Sequence, residues 1–289
     1  MKRIFEIKTV QTGPLRCLFE ALKDILEDVN IEIRAPTKGK ENDEEIGGIR
    51  IIALSSSRNI LVRLKLHASK FDTFICNVPR IVISVSMQNL HILLKSGNNN
   101  DVLTLYQDDT DTNHLGIKFE NHEKNYVRNF NLTLLDLEED QVKIPPLEYT
   151  SLITMPSNDF SKICRDMSNL SDEIQITSVN DTIKFSCKGD FASDNTVYGK
   201  SKDGVNVNRT KNSTDIIQGV YDLKNILLFT KCTNLCNNIE IYFQNDFPLT
   251  IVYSVGDLGT LRFCLSEKVR DDVEDVDEIL NDDKEEEDD

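Results

Sequence analysis

Short runs of alternating apolar and polar residues fill most of the chain, separated by turns rich in Asn, Asp, Ser and Gly. A period of two reads as β-strand with one buried face. Ile49–Leu54, Leu61–His67, Val102–Tyr106, Gly116–Glu120, Ile174–Ser178, Thr182–Cys187 and Ile239–Phe243 are the clearest examples. Four segments break that rhythm with a helical period. Pro14–Val29 sets Leu15, Leu18, Phe19, Leu22, Ile25, Leu26 and Val29 on one stripe, and Pro14 suits the first helical position. Ser86–Ser96 gathers Met87, Leu90, Leu93 and Leu94 on one side, with Gly97 as a stop. Ser157–Leu170 carries Phe160, Ile163, Cys164, Met167 and Leu170 behind a capping Ser157. Asp222–Leu235 carries Leu223, Ile226, Leu227 and Thr230.

The helix starts fall roughly 65–72 residues apart, so the chain reads as four similar modules, each a helix with several strands. Modules of one plan pair naturally into two domains. The expected division is residues 1–132, a connector at 133–149, residues 150–269, and a tail at 270–289. The connector, TLLDLEEDQVKIPPLEY, has an acidic middle, and its Pro145-Pro146 cannot continue a central strand. Pro36–Gly48 and the polar, weakly patterned Phe191–Asp215 read as surface loops.

Charge changes the picture once its distribution is considered. A net charge of −16 argues at first against a nucleic-acid partner. From Arg270 onward, however, the tail holds thirteen acids and two bases; without it 36 acids and 31 bases remain, a net of about −5. The body can therefore carry a positive face, and the tail, a block of like charge, is expected to be disordered. No apolar run is long enough to span a membrane, and MKRIFEIKTVQTG alternates like a strand rather than reading as a signal peptide. An intracellular chain is expected. Seven scattered cysteines, with Cys232 and Cys236 the closest pair and no His nearby, fit idle thiols better than a metal site.

Each helical segment places bases opposite its apolar stripe: Arg16 and Lys23, His91 and Lys95, Lys162 and Arg165, Lys224 and Lys231. Two readings stand side by side. Charges commonly occupy the solvated face of an amphipathic helix, and Glu20, Glu27 and Asp166 fit that. Alternatively, four helices line one surface whose bases meet phosphates without reading sequence. For catalysis, the best cluster is Asp108, Asp109 and Asp111 with His114, which a metal-dependent nuclease could use. Asp and Thr also favour a hairpin turn there, and no partner motif accompanies them.

Several strings resemble the proliferating cell nuclear antigen family of DNA sliding clamps. They are EALKDILED, FDTFIC, LLDLEEDQVKIPPLEY, MPSNDFSKICRDMSNLSDEIQIT, LLFTKCTNL and DFPLTIVYSVGDLGTLRFCLSEKV, in the family's order across nearly the whole chain. The resemblance implies an α+β fold of two similar DNA-clamp domains, each with two helices packed on antiparallel sheets. Such subunits close head to tail into a trimeric ring with the helices lining the pore. It implies a non-enzymatic processivity factor without cofactor or metal. Its partners would be double-stranded DNA, two further copies of itself, a DNA polymerase, a clamp loader, and proteins with a Gln-x-x-aliphatic-x-x-aromatic-aromatic motif.

Carried over by position, the DNA-facing residues implied are Arg16, Lys23, His91, Lys95, Lys162, Arg165, Lys184, Lys224 and Lys231. Cys17 and Leu94 stand where the family usually has bases, and His91 replaces another. Asn180 stands where many relatives have a modified lysine. The partner pocket implied is Leu54, Val142, Ile144, Pro248 and Cys264, with Ser266 and Glu267 at its edge. The subunit interface implied is Phe130 and Leu132 on one edge strand, against Val197 and Tyr198 near Asn195–Ser201. The setting implied is a nucleus or the replication compartment of a large DNA virus. A subunit of a heterotrimeric checkpoint ring is the alternative within the same fold.

Overall fold

The structure, a computed structural model, describes residues 2–37, 46–138, 149–201, 204–209 and 216–268. The first half runs β1 (Arg3–Thr9), α1 (Thr12–Leu22), β2 (Asp28–Thr37), β3 (Ile46–Leu54), β4 (Ile60–His67), β5 (Thr73–Cys76), β6 (Arg80–Ser86), α2 (Met87–Lys95), β7 (Val102–Asp108), β8 (Asp111–Asn121) and β9 (Tyr126–Thr133). The second repeats that order: β10 (Ser151–Pro156), α3 (Ser157–Ser168), β11 (Glu173–Val179), β12 (Thr182–Lys188), β13 (Ser193–Gly199), β14 (Asn206–Arg209), β15 (Ile217–Asp222), α4 (Leu223–Thr230), β16 (Asn238–Phe243), β17 (Leu249–Val255) and β18 (Gly259–Leu265). This is an α+β fold with two copies of one plan.

Three antiparallel sheets hold these strands, in the orders β5-β1-β7-β8-β9, β14-β10-β16-β17-β18-β4-β3-β2-β6 and β13-β12-β11-β15. Each half thus contributes one five-stranded and one four-stranded set. The long middle sheet is the second half's five joined to the first half's four. The seam is β18 against β4, from Gly259↔Leu66 to Leu265↔Ile60. Equivalent rows cross the two five-stranded sets: Ile7–Leu105–Ile117–Phe130 and Ile153–Ile241–Ile251–Phe263. The four-stranded sets match in the same way, with Ile83–Ile31–Ile51–Leu64 and Gly219–Ile176–Phe185–Thr196.

Strand alternation explains the core. Ile60, Val62, Leu64 and Leu66 of β4 are buried, while Leu61, Arg63 and Lys65 point to the other face. The buried faces meet the helices: Phe160 of α3 packs edge-on against Phe185 of β12, and Phe229 of α4 stacks on Phe263 with centroids 4.4 Å apart. Each such side chain contributes roughly 1.5–3 kcal/mol by leaving water. Among the described residues no helix is long and apolar enough to cross a membrane.

Several sequence-based expectations are corrected here. The first helix ends at Leu22 rather than Val29, because Ile25 and Leu26 close a buried turn onto the Leu22 carbonyl and Val29 already belongs to β2. Pro14 is the third helical residue, still within the first turn where an absent N–H costs no hydrogen bond. Ser157 does not cap α3; it is buried, and its hydroxyl donates to the Cys236 carbonyl at 2.6 Å, tying α3 to the segment after α4. Asp222 does cap α4, accepting from the Lys224 and Asn225 amides. Helix four ends at Thr230, and Thr233–Leu235 forms a separate single turn. Residues read as the loop Phe191–Asp215 include the strands β13 and β14. Of the loop Pro36–Gly48, residues 36–37 end β2 and 46–48 begin β3, while 38–45 lie outside the described residues, as does the tail from 269.

Candidate nucleic-acid interface and docking patch

The four helices lie side by side on the faces the sheets leave for them. α1 packs on α2, α3 on α4, and α1 also touches the turn after α4. Across that last contact Lys231 Nζ lies 2.6 Å from Asp24 Oδ2, while Lys23 holds the other oxygen at 2.9 Å. Burial alone would raise the Asp24 carboxyl; the two lysine hydrogen bonds and charges bring it below the usual carboxylate range.

Lys95, Lys162, Arg165, Lys224 and Lys231 are exposed on this helix layer. Arg16 is half-buried, donating to Asn99 Oδ1 at 2.8 Å, and Lys23 is half-buried beside Asp24. Two of the implied DNA-facing residues are placed otherwise. His91 is only 7 % exposed, and its Nδ1 has no hydrogen-bond partner. Burial, then the Lys23 charge, lower its pKa, with Glu20 opposing, so it adds no positive charge near neutral pH. Lys184 sits between the buried Ile183 and Phe185, and strand alternation turns it to the sheet face opposite the helices. It does not belong with the helix bases.

On that opposite face, register assembles a second feature. Leu54 pairs with Leu61, Leu61 with Cys264, Cys264 with Thr250 and Thr250 with Tyr242, so one cross-strand row spans the seam between the halves. Leu54 and its neighbour Ile52 are 41 % and 42 % exposed, whereas Cys264 is buried. The Tyr149 hydroxyl reaches Thr250 Oγ1 at 2.7 Å and the Pro248 carbonyl at 3.2 Å, and its ring packs on Tyr242 and Phe247. Tyr149 therefore anchors the end of the connector beside the row. Its position in LLDLEEDQVKIPPLEY was the available signal, but sequence reasoning did not single it out. Val142 and Ile144 lie outside the described residues. Ser266 is exposed, and Glu267 points elsewhere, its carboxylate accepting from the Val220 amide on the edge of β15.

The remaining implied residues lie on sheet edges. Among the described residues, β9 pairs only with β8 and β13 only with β12. Phe130 is half-buried against Phe119, Leu132 is buried, Tyr198 is half-buried against Phe185, and Val197 is 58 % exposed. The other two edges next to a helix are covered: the Leu135 amide donates to Ser84 of β6, and the Lys268 amide to Val220 of β15. Asp111 binds His114 Nδ1 at 2.8 Å in the β7–β8 hairpin, and no group of three or more metal-ligating side chains occurs among the described residues.

A pseudo-repeated α+β subunit with a basic helix layer on one side and strands on the other is a clamp-type subunit. Comparison with known proteins agrees. Residues 4–143 match "Proliferating cell nuclear antigen, N-terminal domain" and residues 143–268 match "Proliferating cell nuclear antigen, C-terminal domain". The chain is 32% identical over 268 residues to "Probable DNA polymerase sliding clamp 1" of Paramecium bursaria Chlorella virus 1, covering 91% of this chain and 96% of that one. It is 30% identical over 274 residues to "Proliferating cell nuclear antigen" of Chaetomium thermophilum, covering 93% and 100%. It is also 33% identical over 291 residues to "Probable DNA polymerase sliding clamp" of Acanthamoeba polyphaga mimivirus, covering 91% of this chain but spanning 62% of that protein's length. The chain belongs to the proliferating cell nuclear antigen family.

Proposed function

We propose that this chain is a polymerase sliding clamp that closes with two further copies into a ring around duplex DNA. The observation that carries the reading is a junction already made inside the chain. β18 and β4 join the halves, and their counterparts in the repeat are β9 and β13, each paired on one side only among the described residues. Phe130 is the counterpart of Phe263 and Thr196 of Leu64, by the matched rows above. Internally Leu261 opposes Leu64; transferred to neighbouring copies, this register sets Arg128 opposite Thr196 and Val127 opposite Val197. Open edges seek a strand, and a head-to-tail contact of β9 on β13 that closes leaves neither of these two unpaired. Closure at three copies is what the family resemblance supports.

In such a ring the helix layer faces the pore. Its exposed lysines and arginines attract phosphates without engaging base edges, which permits sliding and predicts weak, salt-sensitive affinity. The subunit tethers rather than catalyses. The row Leu54–Leu61–Cys264 beside Tyr149 fits the aliphatic and aromatic side chains of a Gln-x-x-aliphatic-x-x-aromatic-aromatic peptide, the motif expected of a polymerase and a clamp loader. Relatives in two viruses and a eukaryote support a nuclear or viral replication compartment. Size-exclusion chromatography with light scattering tests the assembly: the expected mass is about three times 33.0 kDa. A monomer at all concentrations, or assembly only with a different chain, refutes the homotrimer. Phe130→Asp, which puts a charge into the junction, is the control expected to shift wild-type trimer toward monomer.

A further inference from the structure

Besides Lys95 on α2, three of the exposed helix cations, Lys162, Arg165 and Lys224, make no ion pair among the described residues. They lie on α3 and α4, which pack directly on each other. Lys231 continues the same surface beyond the end of α4. α3 also exposes Asp159 and Asp166, and Lys231 is paired with Asp24, so the three unpaired cations, rather than a uniformly basic face, are what an anion within reach meets.

Such an anion is covalently attached. The described chain ends at Lys268, whose backbone amide donates to Val220 at 2.9 Å and whose ammonium pairs with Glu173. Glu173 pairs in register with Asp222, the cap of α4, and the first helical amide, that of Leu223, is bonded to Asp172. The described polypeptide therefore ends against β15, at a residue four positions before Lys224. The next 21 residues, 269–289, hold thirteen acids and two bases. A stretch of 21 residues spans at most about 70 Å when fully extended and about 25 Å on average as a random coil. α4 is only about 12 Å long, and packed helices sit about 8–10 Å apart. Every cation named is within reach.

We infer that residues 269–289 occupy the basic face of α3 and α4 as an intramolecular competitor of the DNA phosphates. This rests on the reading that the same face meets DNA. The attachment supplies an effective tail concentration on the order of 1 mM. With a tail affinity of about 0.1 mM, duplex binding is weakened by about tenfold. Salt suppresses the effect, because exposed charges more than about 8–10 Å apart are screened at physiological ionic strength. The tail thereby discourages free subunits from holding DNA outside a closed ring, where enclosure rather than affinity retains the clamp.

The test uses the full chain with seven distal acids neutralised: Asp282→Asn, Asp283→Asn, Glu285→Gln, Glu286→Gln, Glu287→Gln, Asp288→Asn and Asp289→Asn. Binding to a labelled short duplex is followed as salt is raised. In parallel, a fluorescent peptide of residues 269–289 is titrated, without DNA, against the neutralised chain. The expected result is about tenfold tighter duplex binding by the neutralised chain at low salt, converging with wild type as salt rises. The peptide binds it, and Lys162→Glu with Arg165→Glu abolishes that binding. Equal duplex affinity of the two chains overturns the competition. Tighter duplex binding without any peptide binding overturns the docking and leaves only general repulsion. Peptide binding with no duplex binding by either chain overturns the DNA reading and the competition with it.

Discussion

The transferred register makes a demand that can be engineered. Val127 and Val197 are 56 % and 58 % exposed in the single chain, and the proposed register would set them opposite each other across a junction between copies. Their internal counterparts, Thr260 and Lys65, are polar. Closing the proposed junction would remove most of the remaining exposed surface of both valines. Fully burying a valine contributes about 1.5 kcal/mol, so replacing both with Asp forfeits roughly 1.5–2 kcal/mol. Like charges directly opposite add about 0.2–1 kcal/mol. The combined Val127→Asp, Val197→Asp chain should lose about 2–3 kcal/mol per junction, or about 30–150-fold in its dissociation constant. Because both side chains face solvent in the monomer, its thermal melt should move little. Pairing Val127→Asp with Val197→Lys replaces repulsion with attraction and should recover about 1 kcal/mol, an advantage that fades with salt. Sedimentation velocity at low micromolar concentration measures the trimer fraction. If the Asp–Lys chain assembles no better than the Asp–Asp chain, the two positions are not opposed and the register is wrong.

Three further outcomes are expected. Arg165→Glu with Lys224→Glu should weaken duplex binding about tenfold or more and flatten its salt dependence by about 0.9 per lost phosphate contact, with the trimer peak unchanged; an unaltered salt slope would count against the helix face. Leu54→Asp should weaken a fluorescent Gln-x-x-aliphatic-x-x-aromatic-aromatic peptide at least about tenfold without lowering the melting temperature, since Leu54 is already 41 % exposed; calorimetry and a thermal melt on the same sample separate the two effects. Asp101 is fully buried; burial alone would raise its carboxyl, but hydrogen bonds from Tyr126, Asn121 and Asn98 hold it below the usual carboxylate range. A depressed folded value means stability that is present above an unfolded value of about 3.9 and lost as pH falls through the folded one. Asp101→Ala should therefore cost about 2–4 kcal/mol at pH 7 and show a shallower acid limb in urea melts followed against pH; a variant with wild-type stability at pH 7 contradicts the network.

Amphipathic helices are local objects, so their apolar stripes and the fourfold recurrence of helix and strands were legible in the residues alone. So were the bases opposite those stripes and the concentration of acid after Arg270. Helix ends were less legible: Ile25, Leu26 and Val29 continue the helical spacing, yet the sheet claims Val29 because Ile31 and Ile33 follow it in strand alternation. β13 could not be read because both of its faces, Ser-Asp-Asn-Thr-Val-Tyr-Gly, are largely polar, and only pairing with β12 makes it a strand. The side on which a residue emerges was likewise a tertiary matter. Lys184 resembles any other base in the sequence until Ile183 and Phe185 are seen to face the helices. His91 sits at a polar helical spacing, but packing of α1 against α2 removes it from water. The deepest example is the seam of β18 on β4. Its partners stand some two hundred residues apart, and no periodicity within either strand names the other. Strand propensity and buried faces are set locally by side-chain order; which edges close and which stay open follows only from where the folded chain brings backbone hydrogen-bond donors and acceptors together.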